Sequence, residues 1–240
     1  MSYNNNKVVS AARTNLSSHD IRIGPRQIGE GEFREVLEGT YLGGNRNQQA
    51  AACKRFKKKY RHLSHTYFDD DFRVIDQTID YAEAWNRFCP SGTEITIHRG
   101  AIHYSKSGIA YLVEPLIRYF NKYTSNSGWI GDEDNDWHVR AMTAFTHFTY
   151  HQSGNQHIVC DIQGQYRNND RRGRRTKRFV LTDPAICSTT KSYGPTDLGL
   201  AGIESFFANH QCNEYCQSHW GQPYRSFAHF ARTRGTTFAF

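Results

Sequence analysis

The sequence lacks any apolar run approaching the roughly 18 residues that a helix needs to cross a bilayer. Its first 19 residues are polar and rich in Asn and Ser, so the apolar stretch of a secretory signal is also missing. No internal repeat is present. These absences argue against a membrane-bound or secreted protein. They predict a cytoplasmic one, in which a mobile tail at residues 1–19 precedes one domain at residues 20–240.

Acidic residues are too few to balance the basic ones, since 30 Lys and Arg against 23 Asp and Glu leave a net charge of +7. This excess favours an anionic partner. Charge alone does not decide whether that partner is nucleic acid, a membrane surface or a phosphorylated small molecule. With 38% hydrophobic and 14% aromatic residues, the chain is not predicted to be disordered. Four of the six cysteines have apolar neighbours and are expected to pack as small hydrophobic side chains: Cys53, Cys89, Cys160 and Cys187.

Apolar periodicity predicts a chain of mixed secondary structure that opens with an antiparallel β-meander. An amphipathic helix is predicted at residues 71–88, where apolar residues recur at spacings of three and four. The other predicted elements are strands at residues 21–23, 33–41, 50–56, 94–101, 109–115, 157–162 and 179–181, and helices at residues 137–150 and 200–209. This order predicts a two-lobed α+β protein, with an N-lobe at about residues 20–118 and a C-lobe at about residues 119–240.

Two features near the N-terminus suggest phosphate binding. Gly29 and Gly31 precede Arg34, and closely spaced glycines let backbone N–H groups approach a phosphate. Taken alone, such a pair is more often a plain β-turn. Lys54 lies in an apolar strand, where its ammonium group is placed to neutralise phosphates. The alternative is that Lys54 belongs to the solvated basic run at residues 57–61.

Three residues further along could serve phosphoryl transfer, which needs a carboxylate near the attacking hydroxyl and oxygen ligands for magnesium. Asp161 ends an apolar strand, Gln163 follows it by two residues, and Asp183 follows another short strand. An Asp at a strand end is also a common turn-former. The His-Arg-Asp, Asp-Phe-Gly and Ala-Pro-Glu signatures of ordinary protein kinases are absent, and His98-Arg99-Gly100 lacks the acid.

A metal site is indicated near the C-terminus, where His210, Cys212 and Cys216 occur together. Two thiolates and two imidazoles are a usual tetrahedral zinc set. The alternative is a helix end with incidental cysteines. Spacing alone does not select the fourth ligand, because the chain has twelve histidines; His147 is one of them.

These segments together resemble the alpha-kinase family, from about Gly29 to Cys216. The resemblance is carried by the following segments: Gly29-Glu30-Gly31-Glu32-Phe33-Arg34, Ala51-Ala52-Cys53-Lys54-Arg55-Phe56, residues 111–117, residues 120–128, Ala144-Phe145-Thr146-His147-Phe148-Thr149-Tyr150, Val159-Cys160-Asp161-Ile162-Gln163-Gly164, Leu181-Thr182-Asp183-Pro184, residues 194–202, and the His210, Cys212, Cys216 group. Any one segment is weak, whereas their order and number make coincidence negligible.

The resemblance implies a kinase-like fold with a β-rich N-lobe and a mixed C-lobe that holds a structural zinc ion. It implies an ATP-dependent protein serine/threonine kinase with ATP, Mg²⁺ and Zn²⁺ as cofactors. Its expected partner is a protein substrate; no membrane is expected, and nucleic acid is disfavoured as a partner. Asp161 would be the catalytic carboxylate that orients the acceptor hydroxyl or accepts its proton. The implied nucleotide-binding set is Gly29, Gly31, Arg34, Lys54, Glu114, Pro115, Leu116, Ile117, Gln163 and Asp183, of which Gln163 and Asp183 bind magnesium; the implied zinc ligands are His147, His210, Cys212 and Cys216.

Two alternatives remain at this stage: a pseudokinase scaffold, and a basic, zinc-containing nucleic-acid-binding module. The first would be expected to have lost Lys54, Asp161 or Asp183. The second leaves the ordered ATP-site residues unexplained. One departure from the family is a basic insert at residues 171–178, interpreted as a solvated loop or as a contact for an acidic substrate or nucleic acid.

Overall fold

The structure is a computed structural model that describes residues 21–31, 33–88, 90–171 and 174–235, without the side chains of residues 63–67 and 169–176. The predicted mobile tail and Cys89 lie outside the described residues. The chain divides into two compact units. The first contains the described residues up to Phe72 together with His98–Arg118, and the second contains Arg73–Ile97 and Tyr119–Gly235. The predicted single boundary near residue 118 therefore differs from the structure at residues 73–97, which precede that boundary but belong to the second unit.

The first unit is built on a five-stranded sheet in which every neighbouring pair is antiparallel. Its strands, in the order β1-β2-β3-β6-β5, are β1 Ile21–Glu30, β2 Arg34–Tyr41, β3 Ala50–Phe56, β6 Ala110–Pro115 and β5 Ala101–Tyr104. The predicted meander is confirmed as β1-β2-β3. Strand β6 is almost wholly buried and lies between two neighbours, as its apolar sequence predicts.

Helix α1, Ser64–Phe88, begins seven residues before the predicted start and follows a 3-10 helix at Lys58–Leu63. Its predicted apolar stripe is buried at Phe72, Ile75, Ala82 and Trp85. The predicted strand at residues 94–101 is wrong as one element. Strand β4, Glu94–Ile97, pairs with a strand of the second unit, whereas Ala101 and the residues after it pair with β6, so the strand is interrupted at residues 98–100.

The second unit contains a four-stranded sheet in the order β4-β10-β9-β7, with β7 Asn121–Lys122, β9 Gln163–Arg171 and β10 Arg174–Leu181. Strands β9 and β10 are antiparallel and paired from Gly164↔Leu181 to Arg171↔Arg174. The loop interpretation of the basic insert is therefore wrong for the described backbone. Paired strands satisfy the N–H and C=O groups of this polar stretch, which composition alone does not reveal.

The remaining elements of the second unit surround an aromatic core. They are helix α2 Trp137–Gln152, strand β8 His157–Cys160, strand β11 Ala185–Ser188 and helix α3 Leu200–Phe207. Helix α2 begins where Asp136 accepts a hydrogen bond from the His138 N–H at 2.8 Å, an N-cap interaction. Trp85 meets Phe145 and Phe148 edge to face in the core.

Three of the predicted small hydrophobic residues are confirmed, because Cys53, Cys160 and Cys187 are fully buried. Among the described residues, none of the helices combines the length and the apolar composition that a bilayer crossing requires.

Candidate active site and metal centre

In the first unit, Lys54 is held by a buried acidic partner. Its Nζ lies 3.2 Å from both carboxylate oxygens of Glu114, and both side chains are almost completely shielded from solvent. Ala52 is the partner of Glu114 in the β3–β6 register, which places Lys54 and Glu114 on one face of the sheet. A buried charge needs such a partner. Sequence reasoning assigned Glu114 only to the chain beside adenine and missed this ion pair.

The glycine pair lies at the turn between β1 and β2. Gly31 donates its N–H to the carbonyl of Arg34 at 2.8 Å, and Gly29 is paired with Val36. Arg34 forms an ion pair with Asp71 at 2.6 Å, and its guanidinium group lies 4.4 Å from the ring centre of Phe56. Gly29 thus lies within β1, Gly31 is hydrogen-bonded to the first residue of β2, and the arginine beside them is anchored.

The remaining residues of the proposed nucleotide-binding set continue the chain from β6. Pro115 ends the strand, Leu116 donates its N–H to the carbonyl of Ala50 at 3.0 Å, and Ile117 is buried. The segment is thus bound to β3 through its backbone.

In the second unit, Asp161 follows β8 in a left-handed backbone conformation, with φ of 53°. Its Oδ1 lies 3.0 Å from Nζ of Lys122 and accepts the backbone N–H of Asn126 at 3.2 Å. Burial raises the pKa of Asp161, and the nearby Asp183 raises it further, while Lys122 and the Asn126 N–H act in the opposite direction. Lys122 is itself buried, so this ion pair is largely shielded from salt.

Gln163 and Asp183 lie next to this pair. Gln163 Nε2 donates to the backbone carbonyl of Asp183 at 2.9 Å, which leaves the amide oxygen of Gln163 available as an acceptor. Asp183, like Asp161, has a positive φ, of 54°. Positive φ is uncommon in residues other than glycine, and two such aspartates close together are typical of a functional site.

Gly164 fixes the approach of the hairpin at this point. Its φ is +150°, and a Cβ at this position would lie 2.1 Å from the carbonyl oxygen of Val180. Position 164 must therefore be glycine for β9 and β10 to pair this close to the two aspartates.

The glycine-rich segment at residues 194–202 joins the same cluster through Asn126, whose side chain donates to the carbonyl of Thr196 at 3.0 Å. Within the segment, the buried Asp197 accepts the backbone N–H groups of Ser188 and Gly199 at 2.8 and 2.9 Å. Asn126 thus contacts both this segment and Asp161. Sequence reasoning missed Lys122 and Asn126 as partners of Asp161, although both lie in the segment at residues 120–128 that carries the family resemblance.

The four predicted zinc ligands come together. The candidate ligand atoms of His147, His210, Cys212 and Cys216 all lie within 4.8 Å of one another. His147 Nδ1 is 3.6 Å from Cys212 Sγ, and His210 Nε2 is 3.6 Å from Cys216 Sγ. A tetrahedral zinc ion with ordinary Zn–N and Zn–S bonds separates N from S by about 3.6 Å. The donor set and its spacing therefore fit zinc.

Groups around the centre orient these ligands. His147 donates its Nε2–H to the carbonyl oxygen of Gly221 at 3.0 Å, which leaves Nδ1 as the ligand atom. Burial, together with the charge of His210, lowers the pKa of His147 to about 4, so the imidazole is neutral as a zinc ligand must be. Burial raises the pKa of the Cys216 thiol to about 12, so its ionisation requires a cation.

This α+β fold is that of a protein-kinase-like domain. It is similar to the alpha-kinase domain of myosin-II heavy chain kinase A in complex with AMP-PNP, with a TM-score of 0.68 and 24% identity over 85% of this chain and 89% of that one. It is also similar to an alpha kinase from Entamoeba histolytica, with a TM-score of 0.66 and 24% identity over 91% and 84% of the two chains.

The particular family follows from the sequence comparison. The model of the alpha-kinase family matches residues 29–216, and the chain belongs to that family.

The curated relatives are longer proteins. Alpha-protein kinase 1 of Dictyostelium discoideum is 39% identical over 201 residues, which is 80% of this chain and 13% of that protein. Eukaryotic elongation factor 2 kinase of Homo sapiens is 29% identical over 207 residues, which is 82% of this chain and 26% of that protein. Alpha-protein kinase vwkA of Dictyostelium discoideum is 41% identical over 116 residues, which is 48% of this chain and 17% of that protein. The matched part of the chain thus spans between 13% and 26% of the length of these relatives.

Proposed function

We propose that this chain is an ATP-dependent protein serine/threonine kinase of the alpha type, with its kinase domain at residues 20–240. The observation that carries the proposal is the cluster of Asp161, Lys122, Gln163 and Asp183. Carboxylate and amide oxygens suit magnesium, and a half-buried carboxylate suits a base that accepts a hydroxyl proton. Family membership supports the same reaction.

The proposed reaction uses Asp161 as its positioned base. The acceptor hydroxyl oxygen forms a bond to the γ-phosphorus of ATP while the bond between that phosphorus and the β,γ-bridging oxygen breaks, and ADP leaves. The hydroxyl proton passes to Asp161. Lys122 and the Asn126 N–H hold this carboxylate in place and oppose the rise in its pKa that burial causes.

The remaining roles follow from the kind of group each residue offers. Lys54, steadied by Glu114, would contact the phosphates, together with Arg34 and the turn at Gly29 and Gly31. The residues after β6 would line the adenine, namely Glu114, Pro115, Leu116 and Ile117. The amide oxygen of Gln163 and the carboxylate of Asp183 would hold magnesium, which neutralises phosphate charge when bound.

The zinc site is proposed to be structural. The set of His147, His210, Cys212 and Cys216 fills all four positions of a tetrahedron, so none is left for water or substrate.

The test of this function is direct phosphate transfer. The purified chain is incubated with γ-labelled ATP, magnesium and a mixture of basic proteins, and the acid-hydrolysed products are separated by phosphoamino acid analysis. We expect label on phosphothreonine and phosphoserine. Label on phosphotyrosine alone would reject the serine/threonine assignment. No transferred label, from a chain that is folded and loaded with zinc, would reject the kinase assignment itself.

A further inference from the structure

The last described part of the chain, residues 221–235, forms an extended segment that we call the C-terminal strap. These residues adopt neither helix nor strand, and most of them are exposed. The strap begins at the zinc centre, where Gly221 accepts the hydrogen bond from His147. Because it buries little surface, it is held by local polar contacts that can be broken without unfolding the rest of the unit.

The middle of the strap is bound to helix α3. The Ser205 hydroxyl donates to the carbonyl of Phe227 at 3.5 Å and accepts the backbone N–H of His229 at 2.9 Å. The His229 side chain also pairs with Glu204. Helix α3 therefore fixes the direction in which the strap continues.

The end of the strap crosses the loop that follows β7. The Ser127 hydroxyl lies 3.3 Å from the carbonyl oxygen and 3.2 Å from the Oγ1 of Thr233. The guanidinium group of Arg234 lies 5.5 Å from the ring centre of Trp129. Arg232 lines a pocket together with an acidic stretch, Asp132, Glu133 and Asp134. Thr233 thus lies against this loop between two arginines, of which Arg232 is the one near the acidic stretch.

This part of the strap lies beside the proposed catalytic carboxylate. Ser127 directly follows Asn126, whose N–H binds Asp161. A Cβ placed on Gly235 would lie 3.1 Å from the Nζ of Lys122, the same atom that pairs with Asp161 at 3.0 Å. The ammonium group of Lys122 therefore lies between the backbone of Gly235 and the carboxylate of Asp161.

We propose that the strap occupies the surface on which a protein substrate presents its hydroxyl group, and that it competes with the substrate for this surface. The surface comprises Ser127, Trp129 and the acidic stretch at residues 132–134, next to Lys122. An extended acceptor segment must lie close to Asp161 to give up its proton, and the strap already lies there. This inference rests on the proposed kinase function, for which it identifies the substrate-binding surface and its resident occupant.

The test compares three proteins that all span residues 1–240: the parent chain, the double variant Arg232→Ala/Arg234→Ala, and the control Arg225→Ala. The control removes an arginine from the same strap, where its guanidinium group lies over the exposed ring of Tyr224. Removing the cation–π contact and the charge next to the acidic stretch should free the surface. We expect the KM for a basic protein substrate to fall about threefold to tenfold in the double variant alone. The kcat and the KM for ATP should stay unchanged in all three.

A binding measurement separates this inference from the kinase assignment. A fluorescent peptide with the sequence of residues 221–235 should bind the double variant about threefold to tenfold more tightly than the parent chain or the control. Equal KM values for the protein substrate and equal peptide affinities in all three proteins would overturn the proposal. If no protein transfers phosphate, the kinase function fails, and peptide binding alone decides whether the strap covers a peptide-binding surface.

Discussion

At the scale of single residues, we expect the ion pair of Lys54 and Glu114 to serve both stability and activity. Lys54→Ala removes the ammonium group that neutralises the buried Glu114 carboxylate, so we expect a loss of about 3–5 kcal/mol in the free energy of unfolding and loss of phosphate transfer. The double variant Lys54→Met/Glu114→Leu removes both charges. It should recover most of the stability and none of the activity, as measured by denaturant unfolding and by labelled ATP.

The control for this experiment is Lys58→Ala, which removes an exposed charge from the neighbouring basic run. It should change the free energy of unfolding by less than about 1 kcal/mol and leave the transfer rate unaltered. Equal behaviour of Lys54→Ala and Lys58→Ala would mean that the basic run acts as a general anion-binding patch.

Lys122 should determine the pH dependence of the reaction. Asp161 acts as a base only when ionised, and burial raises its pKa, so the rate should fall as the pH drops through a value above that of an ordinary aspartate. Lys122→Met removes the cation that lowers this pKa. The acid limb of the kcat profile should therefore move to higher pH, whereas Lys122→Arg should leave it close to that of the parent chain. An acid limb at the same pH in all three proteins would contradict the role given to Lys122.

The residue types that carry chemistry could be found from the sequence, and their partners could not. Asp161, Gln163 and Asp183 stand at strand ends in a recognisable order. The partners Glu114 and Lys122 lie about 40 to 60 positions from the residues they pair with, and only strand pairing brings them close. In the sequence, Glu114 and Lys122 each look like a single charged residue in an ordinary strand or turn, so neither could be recognised as a partner.

At the scale of secondary structure, the hairpin of β9 and β10 holds Gln163 next to Asp183. The sequence did not predict β9, and it predicted only the last three residues of β10. Charged and polar residues dominate this stretch, and Asn and Asp among them have low strand propensity. The regular pairing of the two strands overrides that propensity. Apolar strands such as β3 and β6 were predicted closely, since burial leaves a clear mark on their composition.

Gly164 gives the hairpin a direct test. Gly164→Ala places a Cβ against the carbonyl of Val180 in a backbone conformation that favours glycine, so the free energy of unfolding should fall by about 2–5 kcal/mol. Gly154→Ala is the matched control, because Gly154 also has a positive φ, of +66°, and has nothing within 4 Å of the added Cβ. It should cost about 1–2 kcal/mol. Equal losses of unfolding free energy in the two variants would show that the close approach at Gly164 does not contribute to stability.

At the scale of the whole molecule, the proposed zinc site would join helix α2 to the segment that follows α3. His147 lies more than sixty residues before His210, and the hydrogen bond to Gly221 extends the connection into the strap. The sequence spacing suggested His210, Cys212 and Cys216, while His147 came from the family resemblance. The fold places all four in one centre because α2 and the C-terminal segment pack against the same aromatic core.

Zinc removal should therefore unfold this part of the chain. Ligand formation and folding are coupled when no site exists in the unfolded state. Elemental analysis should give about one zinc ion per chain. Both Cys216→Ala and prolonged chelation should produce protease-sensitive or insoluble protein. Cys187→Ala is the control, because this buried cysteine lies outside the centre, and it should keep its zinc. A zinc-free chain with normal melting and full activity would contradict a structural role.

Asp161→Asn tests whether the Asp161 carboxylate serves phosphate transfer, the step on which the proposed function depends. The substitution keeps the size of the side chain and removes its ability to accept the hydroxyl proton. Measured with labelled ATP and a basic protein substrate at saturating concentrations, kcat should fall by about 10²–10⁴-fold. The affinity for magnesium–ATP and the zinc content should stay near those of the parent chain. Transfer by Asp161→Asn at the parent rate, from equally folded protein, would contradict the account.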